Sequence, residues 1–453
     1  MRVPHLAVTA ALTLATAMAC SAGRAVPAAP AAGGTTAGGA LPVSAARVTV
    51  GPVTDISGNS CAPYDAEVED AAWHQDVYAA WICQPRGGLL IGFARSADGG
   101  KTWSAPLVMP GSKGGWDPAV AVAPDGTLYV SFMDTGAGYS FPVVDVSRDQ
   151  GRTFPQRADV LPPRKGNWGD RDFIAAGSHG LVYLTWDYAP TTKYLKIVCP
   201  AGGSCAFAAG ELNAVFQKST DYGRTWGPIA HLSPGFPASG ADLAPLLIGP
   251  GGRIDVLYQD LAYTNRKTLA LGPARVYFTS SDDGGRTWSR PERIGASAGA
   301  ITGTVWWIDG AIGADAAGNL YATWDTQVSG RDTGWLSYST DAGKAWSAPV
   351  RVTPDDTRAV HIVQSAGGPP GIAYVGWLSD SSPLGYAQYL RVYQIGRGWL
   401  DGPVRVSREF GAKADWPGDT FGIATLPGAR SLVLTWGSAV SARSQIFAAP
   451  VSF

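Results

Sequence analysis

The sequence predicts an all-β protein built from a repeated unit of four antiparallel strands. Three observations support this prediction: an eight-residue turn recurs five times, each copy lies between two strand-like segments, and a second, two-strand pattern recurs seven times. The composition agrees with it, since Gly (58 of 453 residues) and Trp (17) are frequent and charged residues make up only 16%. Many short strands separated by glycine-rich turns are typical of all-β folds.

The recurring turn begins at a serine and ends at an aromatic residue. Its five copies are SADGGKTW from Ser96, SRDQGRTF from Ser147, STDYGRTW from Ser219, SDDGGRTW from Ser281 and STDAGKAW from Ser339. They start 51 to 72 residues apart, a spacing that indicates an array of one supersecondary unit. Short apolar or alternating segments precede and follow each copy, so each turn is predicted to join two strands.

The second pattern is a pair of strands joined by a glycine-containing turn, as in WDPAVAVAPDGTLYVSF. Its seven copies start at Asp65, Asp117, Arg171, Asp242, Asp309, Ala359 and Asp419. Four antiparallel strands repeated radially form a β-propeller, so residues 46–453 are predicted to form seven four-stranded antiparallel blades. The seventh unit lacks a fourth strand, and ARVTVGP from Ala46 is predicted to supply it and close the ring.

The repeated turn resembles the Asp-box, S-x-D-x-G-x-T-W, of sialidases and related propellers (the BNR repeat). The resemblance covers nearly everything after residue 46 and is that of a bacterial, exported, lipoprotein-like member. It implies six blades as the alternative, as in catalytic sialidases. The box carboxylates are predicted to be structural, accepting hydrogen bonds from the backbone of their own turns: Asp98, Asp149, Asp221, Asp283 and Asp341.

The sialidase resemblance also implies a catalytic set that this sequence does not reproduce. Sialidases hold the substrate carboxylate with three arginines, the first in a motif like R-I-P, and use a Tyr–Glu pair with an Asp. No R-I-P occurs here, and the first unit reads YDAEVEDAAW, without an arginine. These departures argue against true sialidase activity.

Candidate site residues lie where the inner strands begin, because acids are frequent there and tryptophans lie beside them. The segment NWGDRDF supplies Asp170, Arg171 and Asp172 as candidate catalytic residues. Strand alternation predicts the two acids on one side and Arg171 on the other, and paired carboxyls can cleave a glycosidic bond. The alternative is that these acids only cap a loop. Candidate ligand-binding residues are Trp116, Asp117, Trp168, Asp309, Trp416 and Asp419.

The N-terminus predicts export. Residues 1–19 resemble a signal peptide, and Cys20 follows Ala17-Met18-Ala19 as a lipid-modified cysteine would. The alternative is an ordinary A-x-A cleavage and free secretion. Residues 20–45 are an Ala/Gly/Pro-rich linker. In an exported chain the remaining cysteines favour disulfides, predicted as Cys61–Cys83 and Cys199–Cys205.

Three functions stay open at this point. The first is an extracytoplasmic monomer that binds glycan or a cell-surface protein, the second a glycoside hydrolase or lyase of sialidase type, and the third a structural scaffold. Net charge is −1 without a basic stripe, which argues against nucleic-acid binding. Membrane association is expected only through the lipid anchor. No cofactor or metal-ligand spacing is predicted, and calcium on the acidic strand starts is the alternative.

Overall fold

The structure is a computed structural model of the chain. It describes residues 48–58, 63–85, 88–112, 114–136, 139–164, 166–191, 196–198, 206–209, 213–233, 239–242, 244–265, 270–295, 311–328, 331–354, 362–382, 385–408, 418, 420–439 and 444–453. Within these ranges the chain is almost entirely strand and turn, with one 3₁₀ turn over Pro250–Gly252. No helix in the described ranges has the length and apolar character to span a membrane.

The strands follow in chain order. They are β1 (Thr49–Val50), β2 (Thr54–Asp55), β3 (Pro63–Trp73), β4 (Asp76–Pro85), β5 (Leu90–Ser96), β6 (Leu107–Val108), β7 (Trp116–Val122), β8 (Leu128–Gly136), β9 (Tyr139–Ser147), β10 (Gln156–Asp159), β11 (Trp168–Ala176), β12 (Val182–Ala189), β13 (Lys196–Val198), β14 (Ala206–Ala209), β15 (Asn213–Ser219), β16 (Ala230–His231), β17 (Ser239–Asp242), β18 (Leu246–Ile248), β19 (Ile254–Asn265), β20 (Ala270–Ser281), β21 (Glu292–Ile294), β22 (Ala311–Ala314), β23 (Leu320–Val328), β24 (Arg331–Ser339), β25 (Val350–Arg351), β26 (Ile362–Gly367), β27 (Ile372–Ser382), β28 (Gly385–Gln394), β29 (Gly398–Trp399), β30 (Val404–Arg405), β31 (Gly422–Thr425), β32 (Ser431–Ala439) and β33 (Ser444–Ser452).

These strands form seven antiparallel blades. Blades 1 to 3 are β3-β4-β5-β6, β7-β8-β9-β10 and β11-β12-β15-β16. In blade 4, β17 and β18 both pair with β19, which is followed by β20 and β21. Blade 5 is β22-β23-β24-β25. Blade 6 is β26-β27-β28, and both β29 and β30 pair with β28. Blade 7 is β31-β32-β33 with β1 and β2. The β13–β14 hairpin pairs separately. The seven-bladed prediction is confirmed, and the six-bladed alternative is wrong.

The ring closes through the N-terminal strands, as the sequence predicts. Thr49 and Val50 pair antiparallel with Ser452 and Val451 at the outer strand of blade 7. The first strands of successive blades lie against one another around the ring, from β3 through β7, β11, β18, β22, β26 and β31 back to β3. Chain start and chain end therefore share one blade, and this pairing covers the edge that β33 would otherwise expose.

A buried tryptophan marks the second strand of five blades. These side chains are Trp81, Trp186, Trp324, Trp377 and Trp436, all at most 2% exposed. The apolar clusters formed around them draw residues from two adjacent blades, for example blades 2 and 3. Because the core lies between blades, each blade depends on its neighbours for burial of its apolar faces.

The repeated turns share one hydrogen-bond pattern, shown by the copy in blade 3. The Ser219 hydroxyl donates to Asp221 Oδ1 (2.8 Å) and accepts from the Gly223 N–H (2.9 Å). The Thr225 N–H and hydroxyl donate to the same carboxylate at 2.9 and 2.6 Å. In blade 5, Ala345 keeps the backbone bond to Asp341 (2.9 Å) and has no hydroxyl to donate. Each carboxylate thus acts within its own turn.

The turn glycine and the terminal aromatic also reach the preceding blade. Trp288 of blade 4 packs edge-on against Phe216 of blade 3, with ring centroids 5.0 Å apart. Phe154 of blade 2 packs in the same way on Phe93 of blade 1, at 5.2 Å. A Cβ at Gly285 would clash with the Phe216 ring. The turns therefore fasten successive blades together as well as closing their own hairpins.

Candidate functional site

The inner strands of blades 1, 2 and 3 share an irregularity near their first residues. Pairing with the second strand shifts register between Ala66 and Val68, between Trp116 and Ala119, and between Asp170 and Phe173. Each shift carries a non-glycine residue in the left-handed region, with φ of 54° at Glu67, 46° at Asp117 and 46° at Arg171. Such backbone costs about 1–3 kcal/mol per residue and collects at functional sites.

Two glycines of blade 7 allow close packing against the bulge of blade 1. A Cβ on Gly418 would clash with the Glu67 backbone, and one on Gly422 would clash with the Asp70 carboxylate. Asp70 Oδ2 accepts a hydrogen bond from the Thr435 hydroxyl of blade 7 at 3.1 Å. The site thus joins blades 7, 1, 2 and 3.

Six carboxyl groups meet there, which we call the carboxyl cluster: Glu67, Glu69, Asp70, Asp117, Asp170 and Asp172. At its centre the Asp117 carboxyl group is hydrogen-bonded to the carboxyl groups of Glu67 and Asp170. Asp117 Oδ2 also accepts a hydrogen bond from the Arg171 N–H at 3.3 Å. Desolvation raises the pKa of Asp117, but these bonds and the Arg171 charge outweigh it and hold the pKa below its ordinary value. The ionised form of Asp117 is therefore the favoured one.

Asp172 has the opposite environment. It is 4% exposed, and neither carboxyl oxygen makes a hydrogen bond of normal geometry among the described residues. Burial raises its pKa well above the ordinary value; the nearby Ser131 hydroxyl lowers the pKa, and the Asp117 charge raises it further. Burial likewise raises the pKa of Glu69, reinforced by the charges of Asp70 and Asp172.

A small cavity lies among these groups. Its volume is about 10 Å³, and its lining includes Glu69, Asp117, Arg171, Asp172 and Thr420. The prediction that Asp170 and Asp172 point to one side of the strand and Arg171 to the other assumes a regular strand, whereas here Arg171 and Asp172 both line the cavity. The register shift between Asp170 and Phe173 breaks the two-residue alternation on which that prediction rested.

The two predicted tryptophans sit beside the cluster at the starts of β7 and β11. Trp116 and Trp168 pack edge-to-face with ring centroids 5.6 Å apart and an interplanar angle of 87°. Both are half-buried. Their partly exposed surfaces offer apolar contact area next to the carboxyl groups.

The structure describes only some of the other predicted residues. Asp309, Trp416, Asp419, Cys20, Cys61, Cys199 and Cys205 lie outside the described residues. Cys83 is buried and disulfide-bonded, and its pairing with Cys61 stays a prediction. Among the acids at the strand starts, Asp65 accepts a hydrogen bond from the Trp81 indole at 2.9 Å and so serves the core of blade 1.

Sequence reasoning did not select Glu67, Glu69, Asp70 and Thr420 as site residues. Three acids within EVED of the first unit are the signal that could have identified the first three. No comparable signal marks Thr420. Across the described ranges, no group of three or more His, Cys, Asp or Glu side chains is arranged to hold a metal ion.

Comparisons with known proteins give likeness in structure only. No family model matches the sequence. No curated protein sequence matches it either. The structure is similar to an ulvan lyase (TM-score 0.56, 15% identity, covering 84% of this chain and 94% of that one). It is also similar to an α-L-arabinanase from Penicillium chrysogenum (TM-score 0.53, 13% identity, covering 89% of this chain and 98% of that one). A third similar structure is an α-L-arabinofuranosidase from Fusarium graminearum (TM-score 0.51, 11% identity, covering 90% of this chain and 98% of that one). At these identities the likeness establishes that the chain shares their propeller fold.

Proposed function

We propose that this protein is an exported propeller of the Asp-box type that binds glycan through the carboxyl cluster. The observation that carries the proposal is the set of three consecutive bulges, at Glu67, Asp117 and Arg171, which direct buried polar groups to one end of the ring. A purely structural strand start would not need three strained residues in neighbouring blades.

The chemistry of the cluster suits sugar hydroxyls. A hydroxyl both donates and accepts hydrogen bonds, and a cluster that mixes ionised and protonated carboxyl groups offers partners for both. The half-buried Trp116 and Trp168 add apolar area for a sugar face. The named activities of the similar structures, arabinanase and ulvan lyase, concern polysaccharides and support the same class of ligand here.

Acid–base cleavage of the glycan is the second candidate, and a specific observation favours it. The pKa of Asp117 is held low while burial raises the pKa of Asp172 and Glu69. Carboxyl groups whose pKa values are pushed apart supply one base and one acid at the same pH. In this role Asp117 is the base and Asp172 or Glu69 the acid.

The experiment is a glycan array combined with a turnover assay on the exported protein. We expect Asp117→Asn and Asp172→Asn to lose binding, cleavage or both. Asp282→Asn, at an exposed position of the repeated turn in blade 4, is the matched control and should behave as wild type. If both cluster variants bind and cleave as wild type does, the cluster is not the site, and Asp309 and Asp419 become the next candidates. If the wild-type protein binds no glycan, the result favours the structural scaffold function instead.

Export is part of the proposal and rests on residues 1–45. Signal-peptide cleavage before Cys20 with lipid attachment would place the propeller outside the cytoplasm, joined to its anchor by residues 20–45. Mass spectrometry of the mature N-terminus distinguishes a lipidated Cys20 from a free, A-x-A-cleaved chain. Retention of residues 1–19 in the native protein would contradict export.

A further inference from the structure

We propose that the cavity among Glu69, Asp117 and Asp172 binds an ammonium group, so that the recognised glycan carries a free amine. This inference rests on the proposed function and names the substrate class of the same site. It predicts an amino sugar with an unacetylated nitrogen at the position that enters the carboxyl cluster.

The first argument is size. The cavity of about 10 Å³ has room for one water-sized group, and an ammonium group is of that size. A whole sugar ring does not fit among these side chains. Glu69, Asp117 and Thr420 are partly exposed, whereas Arg171 and Asp172 are buried. A substituent on a sugar held outside can therefore pass the exposed groups and reach Asp172.

The second argument is the set of unused acceptors. Both Asp172 oxygens are buried without a well-formed hydrogen bond among the described residues, and a buried acceptor left unpaired is costly. Ser131, the polar neighbour of Asp172, likewise makes no well-formed hydrogen bond through its hydroxyl among the residues described. An ammonium group brings three donors and no acceptor, and its bonds to carboxylates are of the strong, charge-assisted kind.

The third argument is charge. The cluster contains six carboxyl groups, and Arg171 is the cation that acts on Asp117 there. An anionic sugar would add negative charge to a buried group of acids, which is unfavourable. The site is thus chemically opposite to the three-arginine clamp for a carboxylate that the sialidase resemblance implies. A cationic substituent, in contrast, favours ionisation of the buried carboxyl groups that it contacts.

Proton release is an additional signature. Without ligand, burial and neighbouring acids favour the protonated forms of Glu69 and Asp172. The charged groups that face them are Asp70, Asp117 and Arg171. An ammonium group stabilises the ionised carboxylates, so its binding should release protons to the buffer. Binding of a neutral sugar should not.

The test is isothermal titration calorimetry on the full mature chain with short β-1,4-linked glucosamine oligosaccharides, their fully N-acetylated forms and the matching glucose oligosaccharides. We expect the amine form to bind at least about tenfold more tightly than the other two, as charge-assisted hydrogen bonds allow. Its apparent enthalpy should vary with the ionisation enthalpy of the buffer. Asp172→Asn should remove the preference, and Asp282→Asn should preserve it. If Asp172→Asn does not fold, Glu69→Gln serves, with the same expected loss of preference.

The outcomes separate this inference from the proposed function. Equal binding of all three sugars, lost in the cluster variants, overturns the ammonium inference and leaves glycan binding intact. Failure of every sugar while a lysine-rich peptide binds in an Asp172-dependent way overturns the amino-sugar inference and the proposed function together. Binding of the amine form that Asp172→Asn and Glu69→Gln leave unchanged also overturns it, since the amine would then bind elsewhere.

Discussion

Trp346, in the repeated turn of blade 5, packs against Phe278 in the third strand of blade 4, with ring centroids 5.2 Å apart and an interplanar angle of 63°. Gly343 of the same turn has φ of 81°, and a Cβ there would clash with the Phe278 ring. The turn is therefore shaped by the neighbouring blade as well as by its own hydrogen bonds. Its repetition follows from the repetition of the interface between blades.

The first prediction tests this interface with two glycines of similar φ. Gly343→Ala should lower the free energy of unfolding by about 2–4 kcal/mol, because it combines left-handed strain with overpacking. Gly396 has φ of 79°, and a Cβ added there would meet no other atom within 4 Å, so Gly396→Ala should cost only the strain, about 1–2 kcal/mol. Chemical denaturation measures both. Equal losses would contradict a role for Gly343 between blades.

The second prediction concerns the turn carboxylate of blade 3. Desolvation raises the pKa of Asp221, but hydrogen bonds from Thr225, Ser219 and the Arg224 backbone outweigh it and lower the pKa to about 2. A carboxyl with a depressed folded pKa stabilises the fold above its unfolded pKa, and the contribution is lost as pH falls through the folded value. Asp221→Asn should thus destabilise at neutral pH, and the difference from wild type should vanish as the pH falls from about 4 to about 2.

Melting temperatures across this pH range provide the measurement. Solvent screening keeps the effect small, because the carboxylate is largely accessible. Glycan binding should be unchanged in Asp221→Asn, since the turn lies at the opposite end of the strands from the carboxyl cluster. A folded variant without binding would contradict the structural role.

The third prediction uses the one turn that lacks its threonine. Ala345→Thr should restore a hydroxyl bond to Asp341, as Thr287 makes to Asp283 at 2.6 Å, and should raise the melting temperature slightly. Thr287→Ala is the matched reverse change and should lower it. The same sign of change in both variants would show that the hydroxyl contributes nothing to these turns.

The fourth prediction is a pH-dependent gain of stability in the carboxyl cluster. Burial raises the folded pKa of Asp172, so above the unfolded value of about 3.9 the unfolded state loses a proton that the folded state keeps, and the wild-type protein loses stability. The cost grows until the pH passes the folded pKa. Asp172→Asn removes this cost and should raise the melting temperature at pH 8 but not at pH 3. A loss of stability at pH 8 would show that Asp172 holds the fold together rather than serving ligand.

The fifth prediction concerns the cysteines. Cys61 and Cys83, and Cys199 and Cys205, should each be linked in the mature protein, as expected for an exported chain. Non-reducing peptide mapping identifies the two linked peptides. A free thiol at Cys61 would contradict the first pair, and one at Cys199 the second.

Much of the fold could be predicted because its cause is local and repeated. The five turns can be recognised in the sequence by serine, aspartate and glycine at fixed spacing. Their hydrogen bonds join residues of the same turn. The seven inner-strand pairs gave the number of blades for the same reason. The outer pairing of Thr49 with Ser452 was predictable from the missing strand of the seventh unit.

The site was predictable only in part. The sequence by itself determined that acids and tryptophans begin the inner strands, and so placed Asp117, Asp170 and Asp172 near one end of the ring. Only the tertiary structure decided which acids meet. The bulges at Glu67, Asp117 and Arg171 interrupt the alternation on which the expected side-chain directions rest. The contact of Asp70 with Thr435 joins residues 365 positions apart. Strand alternation describes a regular ladder, whereas these positions are fixed by packing of four blades around one cavity.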